Sequence, residues 1–224
     1  WLVSADIQFD PDAAPKAKEV VDDTERRLCR YFTRGSFESG GRLFGGFWQS
    51  MPKWQRRKGL LISGEEVATL DFGQMAPRIF YGMVGSEITI PDAYRIPGLE
   101  GHRAGVKKLL NAMLFAEAPL SRFPKETRNL FPARMSVAQV VAELEEAHAP
   151  IRHLFFTGIG HRAQFVESEI LVDVLLELKR REIVGLPVHD AVIVGRSDIA
   201  ETTSVMQEVF KHHTGLDGLV SEED

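Results

Sequence analysis

"GLPVHDAVIV", residues 185–194, reads as a short apolar strand, a break at His189 and Asp190, and a second apolar strand. A charged group set between two buried runs costs free energy unless something needs it there. The stretch therefore predicts a hairpin whose turn presents an acid. Working outward, His161 to Arg181 carries a helical stripe of Phe165, Ile170, Leu171, Val174, Leu175 and Leu178 that leads straight into this hairpin. Beyond it, SDIAETTSVMQEVFKHHTG reads as a closing helix, with a Ser cap, Glu201 at the capping-box position and an end near Gly215.

A second hairpin stands far upstream. "LLISGEEVATLD", residues 60–71, is two strands around Ser63-Gly64, the second ending at Asp71. MAPRIFYGMV (75–84) then has helical spacing, with Pro77 tolerable in the first turn. In residues 100–118, Val106, Leu109, Leu110, Met113 and Leu114 share one helical face, while Arg103 and Lys107 form a basic stripe on another. Residues 119–134 read as a connector and SVAQVVAELEEAH as a Ser-capped helix. Near the start, residues 15–32 carry a helical pattern (Ala17, Val20, Val21, Leu28, Tyr31), and the Gly-rich, basic, aromatic stretch that follows reads as loop. The order is hairpin, helix, helical middle, helix, hairpin, helix. It predicts an α+β fold in which both hairpins share one antiparallel sheet backed by helices, with Asp71 and Asp190 meeting at one sheet end.

Composition sets the outer limits. The chain has 224 residues, 44% of them hydrophobic, enough for one core with a smaller inserted lobe. Its single cysteine, Cys29, forms no internal disulfide, and no apolar run is long enough for a membrane helix. These features point to a reducing, cytoplasmic setting without a membrane partner; the acidic start, WLVSADIQFDPD, is unlike a secretory leader. A net charge of -5 argues against a nucleic-acid partner, but residues 26–58 hold nine Lys or Arg against the single acid Glu38, so a local basic surface is expected.

Two aspartates at neighbouring strand ends repel unless divalent cations lie between them. Oxygen ligands suit magnesium, and a pair of such ions can activate a 3′-hydroxyl and stabilise a pyrophosphate leaving group. The Arg103 and Lys107 stripe would hold a triphosphate. Together these parts describe a nucleotidyltransferase.

At this point four motifs resemble a known family in its own order. DFGQMAPR (71–78) resembles motif A of the family A DNA polymerases, the DNA polymerase I group, commonly D-Y-S-Q-I-E-L-R. RAGVKKLLNAMLF (103–115) resembles motif B, shared with the single-subunit phage-type RNA polymerases, and VHDA (188–191) resembles motif C, V-H-D-E. GGRLFGGFWQ, upstream, resembles the family's T-G-R-L stretch. The resemblance implies a palm sheet with a helical fingers insertion, without a full thumb or exonuclease domain. Residues 1–50 would form a primer-contacting segment and at most a reduced thumb, 51–84 the first part of the palm, 85–150 the fingers and 151–224 the second part of the palm. It implies Asp71 and Asp190 as ligands of two magnesium ions, with manganese as a substitute. Arg103 and Lys107 would grip the incoming triphosphate, Lys107 also giving a proton to pyrophosphate, with Gln74, Ala76, Arg78, Asn111 and Phe115 completing the nucleotide site. Arg42 and His189 would contact the primer end and Gln164 the minor groove. The implied partners are primer-template DNA or RNA, dNTPs or NTPs, and accessory replication proteins.

Departures from the pattern carry their own expectations. Ala76 stands where the family usually has a glutamate that excludes the ribose 2′-hydroxyl, and Phe115 where motif B has tyrosine. Losing both members of a hydrogen-bonding pair leaves no orphaned polar group. A polymerase tolerant of ribonucleotides, or a primase, is the expectation. Ala191 replaces the motif C glutamate, and Asn111 an aromatic or apolar residue. The competing readings are a non-catalytic nucleic-acid-binding module, a two-metal nuclease and a structural partner of a larger replication assembly.

Overall fold

A computed structural model describes residues 1–10 and 21–223. Their principal elements are β1 (Ile7–Phe9), β2 (Cys29–Phe32), β3 (Gly40–Phe44), α1 (Phe47–Ser50), α2 (Lys53–Gly59), β4 (Leu60–Ile62), β5 (Glu65–Gly73) and α3 (Met75–Met83). There follow α4 (Arg103–Phe115), α5 (Val137–Ala147), α6 (Gly160–Arg180), β6 (Leu186–Val188), β7 (Ala191–Gly195), α7 (Ile199–Thr214) and β8 (Leu219–Glu222). Two compact units result: Trp1–Gly73 with Phe165–His213 and Asp217–Asp224, and Gln74–Gln164 with Thr214–Leu216.

The first unit is built on a six-stranded sheet in the order β1-β4-β5-β7-β6, with β8 also paired to β5. Every pairing is antiparallel. Strand β5 is its spine. It meets β7 from Val67↔Gly195 to Asp71↔Ala191, and β8 from Leu70↔Glu222 to Gly73↔Leu219. The β4–β5 turn works because Ser63 and Gly64 both take positive φ (52° and 78°), the twist a tight hairpin requires.

Alternation along β5 assigns its faces. Ala68, Leu70 and Phe72 are all buried, and Phe72 meets Phe210 of α7 with ring centroids 5.4 Å apart, so α7 backs this side. On the other side Val67 joins a cluster with Ile7, Phe47, Trp48, Met51, Leu60, Ile62, Leu186 and Ile193. Farther along that side Thr69 and Asp71 remain only partly buried. The hydrophobic seal therefore stops short of the acid.

Trp48 ties α1 to the decisive hairpin. Its side chain is fully buried, and its Nε1 donates to the Pro187 carbonyl at 3.0 Å, which also accepts from Gln49 Nε2 at 2.9 Å. Strand β6 is thereby gripped just before its turn. A separate two-stranded sheet pairs β2 with β3, including Tyr31↔Arg42. Gly41, at φ 89°, has no room for a side chain: a Cβ there would lie 2.6 Å from Ser168 Oγ of α6.

The second unit is helical. Val106, Leu109, Leu110, Met113 and Leu114 of α4 are at most 1% exposed, as their spacing requires. Helix α5 opens with a full capping box between Ser136 and Gln139. His148, fully buried, is held through Nδ1 by the Tyr81 hydroxyl (3.1 Å) and through Nε2 by the Ala93 carbonyl (3.0 Å). Burial pushes its imidazole below the usual range.

The fold is α+β, an antiparallel palm-like sheet backed by helices, as the order of elements predicted. Several local expectations are corrected. Residues 15–20 lie outside the described residues; Cys29–Phe32, expected as helix, is strand β2, paired along its length with β3. The expected loop contains β3, α1 and α2, because its aromatics have a core to enter: Phe47 and Trp48 are buried. Helix α4 spans Arg103–Phe115 rather than 100–118. Ser197 donates to Glu65 through both its backbone N–H and its hydroxyl, and Glu201 bonds Arg181. Strand β8 lies beyond the expected end at Gly215 and completes the sheet. Among the described residues no helix is long and apolar enough to cross a membrane.

Trp48→Ala is expected to lower unfolding stability by about 3–5 kcal/mol, through lost burial and an imperfectly filled cavity. Urea denaturation measures it; a loss below about 1 kcal/mol would show that the grip on β6 is dispensable.

Candidate active site

The register Asp71↔Ala191 sets Asp71 beside the residue that follows Asp190, so the two acids are diagonal neighbours across β5 and the β6–β7 turn. His189, at the first turn position, has φ 57°, a conformation that costs a non-glycine residue about 1–2 kcal/mol. Gln74, at the first helical cap after Asp71, also has a left-handed backbone (φ 58°, ψ 32°). Strain of this kind is held only where the surroundings over-determine it, and it clusters at functional sites. The His189 ring also meets Phe44 at the end of β3, centroids 6.3 Å apart.

A third carboxylate enters this end of the sheet from α6. Glu167 is 7% exposed and accepts from Arg42 through Nε (2.7 Å) and Nη2 (2.6 Å), both on Oε1. Its carboxyl is raised to about 7 as the balance of burial, which pushes it up most, the Arg42 guanidinium, which pulls it down, and the negative charges of Asp190 and Asp71, which push it up. Those last two influences place all three acids in one electrostatic neighbourhood. Arg42, expected at the primer end, thus has a carboxylate partner. Next to it Arg30 anchors β2 to α6 through Ser168 Oγ (2.8 Å) and Glu169 (2.5 Å).

Among the described residues no group of three or more His, Cys, Asp or Glu side chains could hold a metal ion together. The pair Asp71 and Asp190 nevertheless fits a divalent cation in donor chemistry, being oxygen-only and anionic, of the sort that binds magnesium through one or two carboxylates with substrate phosphates supplying the rest. Glu167 is raised chiefly by its own burial and only secondarily by the charges of Asp190 and Asp71.

In the second unit, α4 presents Arg103, Lys107, Asn111 and Phe115 at successive four-residue steps. Arg103 and Lys107 are exposed and flank one ring: Tyr94 lies 5.3 Å from the guanidinium carbon and 5.8 Å from the ammonium. Arg103 Nε also donates to Asp92 at 2.6 Å. Burial works against charge on Asp92, but hydrogen bonds from Arg103 and the Tyr94 N–H prevail and hold its carboxyl below the usual range. Gln74 Oε1 accepts from the Ala93 N–H at 2.8 Å, fixing the strained cap to the same segment. Ala76 and Arg78 on α3 are partly buried, as is Gln164 on α6. Among the described residues the buried Oδ1 of Asn111 has no hydrogen-bond partner. Phe115, 41% exposed, packs edge-on against His161 at 5.1 Å and so closely over Gly160 that a Cβ there would lie 2.7 Å from its ring.

Sequence reasoning missed Glu167, Asp92 and Tyr94. Glu167 left a trace: it stands three and four residues before the inward Ile170 and Leu171, an acid on an apolar stripe. Asp92 and Tyr94 lie in an irregular segment without periodicity.

No known protein family matches the chain, and no curated protein matches it in sequence. Among solved structures it is similar to the POL domain of Pol1 from M. smegmatis, determined in complex with DNA primer-template and dNTP. The TM-score is 0.51 at 13% sequence identity, with 91% of this chain and 48% of that one covered. The chain thus spans about half the length of its neighbour, and the likeness defines a polymerase-like fold.

The charge on Glu167 gives a pH signature. An acid whose folded pKa is raised from 4.5 to about 7 favours the folded state while protonated. Stability therefore falls between about pH 4.5 and 7, by on the order of 3 kcal/mol, as the unfolded chain releases its proton first. With chelator present, the urea midpoint is expected to drop across that window in the parent and to stay nearly level in Glu167→Gln. Parallel profiles would remove Glu167 as the cause.

Proposed function

We propose that this chain is a template-directed nucleotidyltransferase that extends a nucleic-acid 3′-hydroxyl from nucleoside triphosphates and releases pyrophosphate. The observation that carries the reading is the β5–β7 register, which brings Asp71 and Asp190 to one sheet end. The polymerase-like fold supports it. In this reading the first unit is the palm and the second the fingers; residues 1–50 serve the primer side and as a reduced thumb.

Asp71 and Asp190 would hold two magnesium ions, or manganese in their place. Such ions, when bound, supply neutralisation of the transferring phosphoryl group and acidification of the attacking hydroxyl. Arg103 and Lys107 bind the triphosphate, and Lys107 gives its proton to pyrophosphate. Arg103 must exchange Asp92 for phosphate, a trade between two charge-assisted pairs. Gln74, Arg78 and Asn111 line the nucleotide site, Arg42 and His189 contact the primer end, and Gln164 reads the minor groove. Primer-template DNA or RNA and accessory replication proteins are the partners.

Primer extension with magnesium tests the proposal. Asp71→Asn and Asp190→Asn are each expected to lower the rate by at least about a hundredfold, since disturbing even a second-layer partner of a metal ligand costs up to that much. Extension that survives both substitutions would sink the proposal. The Arg103–Asp92 pair, together with Ala191 in place of an acid, favours a second reading as a non-catalytic binding module. That reading predicts template-primer binding without product.

Sugar selectivity follows from Ala76 and Phe115. A pocket without a polar group at these positions, and with only a methyl at Ala76, rejects an added hydroxyl weakly, so dNTPs are expected to be preferred over NTPs by less than about a hundredfold. Ala76→Glu should widen that ratio. Single-nucleotide kcat/KM values decide it, and a parent preference of several thousandfold would refute it.

A further inference from the structure

A second feature of the first unit lies away from the two aspartates. Lys53, Trp54, Arg57 and Lys58 share the outward face of α2, because Gln55 and Gly59 turn inward. Gly59 is pressed against β1 so closely that a Cβ would lie 2.5 Å from the Phe9 ring, which fixes which face looks out. With Glu66, Val67 and Arg196 these residues line a groove of about 760 Å³. Val67 and Asp71 stand four residues apart on one face of β5, so the groove begins roughly 13 Å along the strand from the acid.

The chemistry of the groove is cationic and aromatic. Trp54 is 42% exposed, unusual for so large an apolar side chain with a core nearby. Among the described residues Arg57 and Lys58 have no ion-pair partner. Lys53 reaches Glu223 at 3.4 Å and Arg196 reaches Glu222 at 3.3 Å, both in exposed geometry where pairing contributes little and is readily exchanged. Among the described residues Glu66 is the only acid lining the groove. Cations that follow a phosphate backbone, beside an indole on which a base can stack, form the combination that binds single strands without reading sequence. A duplex, its bases stacked on one another, has no use for the indole.

We infer that this groove is a binding site for single-stranded nucleic acid, with Trp54 stacking a base and Arg57 and Lys58 contacting phosphates. The site needs neither nucleotide nor metal, and it is separate from the chemistry assigned to Asp71 and Asp190.

The test is fluorescence anisotropy of a labelled oligothymidylate of about ten nucleotides, titrated at several salt concentrations in chelator, with a blunt duplex as comparison. Trp54→Ala is expected to weaken single-strand binding roughly tenfold while leaving the salt slope unchanged, since stacking carries no counterion release. Arg57→Gln with Lys58→Gln should weaken it and reduce the slope by about 1.4. Asp190→Asn should bind like the parent. That result, together with inactive parent enzyme, would sink the polymerase reading and leave this one standing. Unchanged affinity in Trp54→Ala, an equal loss of duplex binding in that variant, or lost single-strand binding in Asp190→Asn would each overturn the inference.

Discussion

The pairing of β5 with β7 is the constraint on which the candidate site depends. Side chains alternate along a strand, so a slip of one residue would turn Asp71 into the side packed by α7 and bring Leu70 out beside Asp190. What prevents the slip is burial on both faces at once. Val67 is locked into the Trp48 cluster, while Leu70 and Phe72 are locked against the helical backing. The acid is held in register by the burial of its apolar neighbours on the strand.

Around that register the molecule concentrates negative charge and then compensates it from a distance. Arg42 reaches in from the two-stranded β2–β3 sheet, and Glu167 from α6. Removing Arg42 would leave a buried carboxylate facing two others without a counter-charge, a costlier state than the pair itself. The close seat of Gly41 on Ser168 and the bonds of Arg30 to Ser168 and Glu169 hold the β2–β3 sheet where Arg42 can do this. The basic segment of the sequence thus serves two ends: its first arginines brace the carboxylates, and its later cations line the groove beside Trp54.

The second unit shows a different economy. Its helix faces are set by apolar spacing, and its exposed cations are steadied by one aromatic ring and one acid from the segment between α3 and α4. Arg103 and Lys107 are therefore pre-oriented without being buried, and their charge remains accessible to an anion. The strained Gln74 is bonded to that same segment, so the N-terminal cap of α3 and the aromatic support of α4 form one connected structure.

The sequence by itself determined both hairpins, the α3, α4, α5 and α6 helices and the inward residues of α4, because period-two and period-3.6 patterns are local properties of the chain. It also brought Asp71 and Asp190 into question, through charge at the ends of apolar strands. Only the tertiary structure decided the rest. Residues 33–58 look like loop in isolation, since short strands and helices in them are stabilised by Trp48 and Phe47 entering a core assembled from distant strands. Strand β8 is recognisable only through its partner β5. Glu167 becomes a functional candidate only when α6 sets it beside acids from two other elements, because electrostatic coupling depends on distance through space and not along the chain.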